Sequence, residues 1–325
     1  MTVLGKVLRP FFGVSEKEAT SFREADRNAA QRLETVIRLV TRGCHLTLQN
    51  SNFEVLVARL NAVEVELRGF AYEGAGIGLA ALDCLLPWKN RTRAFLDGPG
   101  SAYIYAVPLG VGMALARLRR RPEAFLRRLD PVLGWLILDG YGFHEGFFHR
   151  RNTVEKQRVP GHLSAYGRRV FDHGLGRSIW FLSSTNIGRV TETIAHFPIA
   201  RQADLWSGVG LACGYTGGAE RAAIEELGRA AGSYRAQLAM GAALAANARH
   251  RVGNLSPHAE LACEVLCGLS TADASQLVEN ARDNLSVDTK EPPYEIWRQR
   301  LVTHFREQEV YETNSKDLFL QHKEF

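Results

Sequence analysis

The chain has 325 residues, 46% of them hydrophobic and 23% charged, with a formal net charge of +5. That length and balance describe an ordinary soluble globular protein with room for a large core, in one large domain or two medium ones. The positive excess is narrow, and the absence of any basic-aromatic repeat or zinc-finger spacing argues against a nucleic-acid partner.

The N-terminus, "MTVLGKVLRPFFGVSEKEAT", is interrupted by Lys6 and Arg9 before any signal-peptide length is reached, so secretion is not expected. Ser15 followed by Glu18 fits a capping box, and it opens a charged helical segment. Within that segment Ala30, Leu33, Ile37 and Val40 recur at steps of three and four, which gives one apolar face. Gly43 reads as its stop.

Helix signals then dominate and strand signals are scarce, so the fold class is all-α. "GVGMALARL" and "AQLAMGAALAANAR" are helices whose small residues permit close contacts. The most apolar stretch, Ala102 to Ala116, contains Pro108 and is shorter than the roughly 20 residues of a bilayer span, so no membrane helix is expected. The run "RLRRRPEAFLRRL", Arg117 to Leu129, reads as a solvated helix face or as a docking patch for an acyl carrier protein or an anionic substrate.

"DGYGFHEGFFHR", residues 139 to 150, frames His144, Glu145 and His149 with glycines and aromatics. The two histidines are five apart, so on a straight helix they diverge by about 140° and do not share a metal in the manner of H-E-x-x-H. Glu145 and His149 are four apart and do share a face. The carboxylate and imidazole sit within a wall that includes Tyr141 and Phe148, and such a pair suits general acid and base catalysis.

In "FDHGLGRSIWF" Asp172 and His173 precede two glycines and Arg177, a pattern compatible with a loop feeding a helix N-terminus that binds an anion. "RQADLWSGVGLACGYTGG" brings Asp204, Trp206 and a glycine series without the preceding strand of a dinucleotide fingerprint, and close helix packing is the better account of those glycines. Glu145, His149, Asp172, His173 and Asp204 would form an oxygen and nitrogen ligand set if they converged. Without evidence of convergence, no metal ligand is assigned and the cofactor is left unknown, there being no flavin, haem, nicotinamide or other nucleotide motif. Five cysteines, odd in number and without a C-x-x-C pair, point to a reduced cytoplasmic protein. Pro292 and Pro293 mark a final boundary before one more amphipathic helix and a polar tail.

The chain also matches itself. "GIGLA" at 76 to 80 matches "GVGLA" at 208 to 212, an offset of 132, and "GMALA" at 112 to 116 matches "GAALA" at 241 to 245. These matches predict an N-terminal arm (1–49), two pseudo-symmetric helical repeats (50–184 and 185–290) and a C-terminal helix and tail (291–325). At the related offset of 128 the partners of His144, Glu145 and His149 are Ala272, Asp273 and Leu277, so an active centre would lie in the first repeat.

Across "DGYGFHEGFFH", "DHGLGRSIWF" and "DLWSGVGLACGYTGG" the chain resembles the UnbL-like family of proteins encoded beside iterative enediyne polyketide synthases. The resemblance runs over roughly residues 8 to 310. It implies a cytoplasmic role in enediyne biosynthesis, acting on the linear polyene released by the synthase, and supplies no catalytic residue of its own. From the residues themselves, Glu145 and His149 are expected to transfer protons, His144 or His173 to orient a substrate, and Arg177 to hold an anion. Asp172, Asp204, Trp206, Tyr141 and Phe148 complete the expected substrate contacts. The alternative is a non-catalytic protein that shields the polyene or docks on the synthase.

Overall fold

The three- and four-residue apolar period from Ala30 to Val40 is realised as the long helix α1 (Arg27–Gln49) in a computed structural model that describes residues 8–22, 26–50, 52–286 and 289–321. Asp26 caps α1 by accepting hydrogen bonds from the amides of Asn28 and Ala29. The capping box forms as expected, Ser15 and Glu18 closing a single turn at Glu16–Ala19. Gly43 does not stop α1. Its missing Cβ is used sideways instead, because a Cβ there would stand 2.0 Å from the carbonyl oxygen of Ala71.

Beyond α1 come α2 (Phe53–Asn61), α3 (Arg68–Leu85), α4 (Ala106–Arg117), α5 (Leu136–Phe148), α6 (Ala165–Leu182), α7 (Ile187–Ala195) and α8 (Ile199–Thr216). They are followed by α9 (Arg221–Ala230), α10 (Arg235–His250), α11 (Pro257–Cys267), α12 (Thr271–Arg282) and α13 (Pro293–Gln321). Among the described residues every regular element is helical, so the fold is all-α. No single helix among them is long and apolar enough to cross a membrane.

One packing device is used repeatedly. In the series α1, α3, α4, α5, α6, α8 and α10 each helix lies against the next, and α3 to α6 and α8 each carry two glycines separated by one residue. The first glycine of each pair meets the helix before it and the second meets the helix after it. A Cβ on Gly140 would stand 1.8 Å from the Leu109 carbonyl oxygen, and one on Gly142 would stand 2.1 Å from that of Phe171. Backbones this close leave no space for even a methyl group, and they exclude water from the seam. The backward-facing glycines are Gly74, Gly110, Gly140, Gly174, Gly208 and Gly241, spaced 30 to 36 residues apart.

The recurring unit that the glycines mark is one helix with its connection; the two halves of about 130 residues are not confirmed. The sequence match of "GIGLA" with "GVGLA" places forward-facing Gly76 on backward-facing Gly208, one glycine out of register; the structural equivalent of Gly208 is Gly74. No break falls near residue 185, since α6 packs on α8 through Gly176 and Gly208 just as α5 packs on α6 through Gly142 and Gly174.

The series curls until its start meets its later members. Arg32 on α1 donates to the carbonyl of Thr216 at 2.9 Å, and Arg249 on α10 donates to the carbonyl of Glu66 at 3.0 Å. The rings of Phe70 on α3 and Tyr215 on α8 lie edge to face at 5.2 Å. Helix α13 begins at the predicted proline boundary and is pinned by Trp297, whose indole N–H donates to the carbonyl of Val278 at 2.9 Å. The last residues of the expected tail, 322–325, lie outside the described residues. The arginine run does not form one helix face: α4 ends at Arg117, a tight 3-10 stretch follows at Pro122–Arg128, and Arg119, Arg120, Arg121, Arg127 and Arg128 are exposed.

Candidate functional site

The glycine pairs fix which side chains face the inside of the curl. Three residues after the backward-facing glycine stand Ile77, Met113, Phe143 and Arg177, and seven residues after it stand Arg117, Phe147 and Phe181. All seven line one narrow cavity of about 60 Å³, walled on the α1 side by Val36, Ile37 and Val40 and covered by Phe12, Gly13 and Val14. The inward stripe is thus a consequence of helical periodicity measured from each packing contact.

Charge enters the wall at Arg177. Its Nη1 donates to Asp139 Oδ1 at 2.8 Å and its Nη2 to Glu73 Oε1 at 3.4 Å, while His173 Nδ1 donates to the other Asp139 oxygen at 2.9 Å. Burial would raise the pKa of Asp139, but Arg177 and His173 outweigh it and hold the carboxyl below its ordinary range. Burial raises the pKa of Glu73, and Arg177 opposes that only in part. Arg177 also lies over the Phe143 ring at 5.1 Å, a cation–π contact. A guanidinium held by two carboxyl groups is already neutralised, so Arg177 is not the free anion holder expected from the sequence. His173 and Arg177 lie within α6, whose N-cap is Ser164, and not at a helix N-terminus. His173 Nε2 is buried without a hydrogen-bond partner.

The second polar group stands at the end of α5. His149 is the C-cap, at φ −120° and ψ 32°, and the chain passes next into a π-helical turn at Arg151–Glu155. Thr153 ties this exit down by donating its hydroxyl to the carbonyls of Glu145 and His149. His149 has left helical φ and ψ at this point, and its ring stands 5.7 Å from that of His144, closer than the divergence of about 140° on a straight helix would suggest. Oε1 of Glu145 lies 3.2 Å from His149 Nδ1 and 3.5 Å from His144 Nδ1. The expected Glu145–His149 pair is formed, and His144 joins it.

His144 lines the cavity and is buried; its Nδ1 has only the long 3.5 Å contact with Glu145, and its Nε2 has no hydrogen-bond partner. Burial lowers its pKa, and the neighbouring Glu145 carboxylate offsets this only in part. For Glu145 burial acts to raise the pKa, but the two imidazoles outweigh it and hold the carboxyl below its usual value. His149 is half exposed, and of the three only His144 lines the cavity itself.

The other expected contacts fall elsewhere. Asp172 faces away from the cavity and takes Arg201 in a two-pronged pair at 2.8 and 2.5 Å. Asp204 is bound by Arg298 at 2.7 Å and Arg169 at 3.0 Å, which join α6 and α8 to α13. Trp206 is buried in α8 outside the cavity lining. Tyr141 is buried against His162 and Phe171, and burial pushes its hydroxyl up to about 12. Phe148 does line the cavity, its ring tilted by 42° against the His144 ring at 4.7 Å. The five-residue oxygen and nitrogen set therefore does not converge; the group that does is His144, Glu145 and His149.

Glu73 and Asp139 were not singled out from the sequence. The signal that marks them is position: Glu73, Asp139 and His173 each immediately precede the backward-facing glycine of their helix. No match was found among curated proteins or solved structures. The family model described as "Protein of unknown function (DUF1702)" matches residues 3–305, and on that extent the chain belongs to the DUF1702 family.

Proposed function

We propose that the curled helices bind an extended apolar molecule in the central cavity and act on it at the rim formed by His144, Glu145 and His149. The observation that carries this reading is the convergence of Ile77, Met113, Phe143, Phe147 and Phe181 on one cavity that is also lined by the buried imidazole of His144, whose Nε2 has no hydrogen-bond partner. Apolar walls with a few placed polar groups are the usual build of a small-molecule site. At about 60 Å³ the cavity is well below the roughly 300–1,000 Å³ of drug-sized pockets. It suits a slim flat chain, and a long one requires the cover at Phe12 to Val14 to lift.

The UnbL-like resemblance supplies a candidate with those properties, the conjugated polyene of enediyne biosynthesis, in a reduced cytoplasmic setting. In this reading the Glu145–His149 pair supplies the acid and base chemistry on the bound chain, with His144 directing it. A second reading, a non-catalytic protein docked on the polyketide synthase or its acyl carrier protein, draws on the exposed arginines from Arg119 to Arg128. Incubating the purified protein with the synthase-released polyene and following the product by mass spectrometry separates the two. Conversion by the native protein, lost in Glu145→Gln and His149→Ala variants that remain folded, supports the enzyme. Tight binding with no chemical change supports the carrier.

A further inference from the structure

The end of α5 holds an arrangement that a proton-transfer pair does not require. Glu145 would need one imidazole partner, yet the same oxygen, Oε1, is approached by two, at 3.2 and 3.5 Å. One ligand atom from each of His144, Glu145 and His149 lies within 4.8 Å of the others. An ion with bonds of about 2.0–2.2 Å separates adjacent ligands by about 3.0–3.5 Å in tetrahedral or octahedral geometry. The two separations from Oε1 fall at that spacing before any ion has drawn the ligands together.

The second observation is the burial of His144. It is only 3% exposed, and apart from the 3.5 Å approach of Nδ1 to Glu145 its ring has no polar contact, Nε2 being left without a hydrogen-bond partner. A buried polar group without a partner costs stability and calls for an explanation such as an ion. Its neighbour His149 is half exposed, which leaves a route from solvent to the same point. His144 also faces the apolar cavity, so an ion there has coordination positions on the side where a ligand would lie.

We infer that His144, Glu145 and His149 bind one divalent first-row transition-metal ion at the rim of the cavity. Two imidazoles and one carboxylate suit zinc, iron(II) or manganese(II), and leave positions for water or a ligand oxygen. Arg117 works against the cation: it lines the same cavity, with its guanidinium over the Phe148 ring at 5.3 Å. An anionic or strongly polar group on the ligand would lie between the two charges and be held by both. The ion does not depend on the polyene reading, but its action on a bound chain does, and there it acts through the residues otherwise expected to transfer protons.

The test uses the full chain, stripped with chelator and titrated with Zn²⁺, Co²⁺, Mn²⁺ and, without oxygen, Fe²⁺, with no organic ligand present. Elemental analysis after desalting and the Co²⁺ d–d spectrum give stoichiometry and geometry. About one ion per chain is expected. Affinity should fall by roughly tenfold or more in His149→Ala and Glu145→Gln, the size typical of losses at a metal site, and tighten in Arg117→Met. Circular dichroism checks the fold of each variant, and His149, half exposed, is the substitution least tied to the core. Failure of all four ions to bind at stoichiometry, or equal binding by His149→Ala and Glu145→Gln, overturns the site. Ion binding that persists when Ile77→Trp abolishes polyene binding shows that the two claims stand or fall separately.

Discussion

Asp139 divides its two carboxylate oxygens between His173 Nδ1 at 2.9 Å and Arg177 Nη1 at 2.8 Å, tying α5 to α6 at a point where Asp139 is wholly buried. The backbone makes the same connection, since a Cβ on Gly174 would stand 1.8 Å from the Asp139 carbonyl oxygen. Close glycine packing is what brings these side chains into register.

Replacing Asp139 with asparagine removes the nearer of the two carboxyl groups on buried Arg177 and leaves only Glu73 at 3.4 Å, and should cost up to about 3–5 kcal/mol at neutral pH. The pKa of Asp139 is depressed in the folded protein by Arg177 and His173. Its contribution is therefore fully present above the ordinary carboxylate pKa of about 3.9 and is lost as pH falls through the depressed folded value. Urea denaturation should give the same stability gap between native and variant at pH 7 and pH 5.5, narrowing only in stronger acid. A gap that widens on acidification contradicts this assignment.

Glu73 has the opposite sign. Burial raises its folded pKa above the unfolded value, so its favourable contribution is present below the unfolded pKa and fades as pH rises through the folded one. Glu73→Gln copies the protonated form. Its melting temperature should match that of the native protein near pH 4 and exceed it at pH 8, and a variant less stable at pH 8 than at pH 4, relative to native, refutes the sign.

The glycine seams make a sharper packing prediction. Gly140→Ala and Gly174→Ala each force a methyl group into a carbonyl 1.8 Å away, and should cost more than the roughly 1–3 kcal/mol of ordinary overpacking. At Gly161 nothing lies within 4 Å of the added carbon. There alanine should be neutral or stabilising by up to about 1 kcal/mol through the unfolded chain. Thermal denaturation of the three variants side by side measures the contrast.

Much of the helical class was legible because it rests on local periodicity: Leu33, Ile37 and Val40 all face inward as their spacing requires. The Glu145–His149 pair was legible for the same reason, being one helical turn apart. His144 was not placed with them, because its convergence depends on α5 ending at Phe148, an exit held by Thr153. Glu73 and Asp139 escaped notice since their meaning lies between helices, with Arg177 as the shared partner. The single-helix unit was not legible: connections of unequal size shift the glycine pairs by a few residues, and forward- and backward-facing glycines look identical in sequence.

The central claim is that the cavity inside the curled helices is the ligand site. An absorbance titration of the synthase-released polyene tests it most directly, comparing the native protein with Met113→Trp and Ile77→Trp, which fill the cavity, and with Arg120→Glu on the exposed surface. The account predicts a saturable spectral shift in the native and Arg120→Glu proteins and its loss in both tryptophan variants. A shift that survives both tryptophans, or that disappears in Arg120→Glu alone, would place the ligand outside the helices and contradict it.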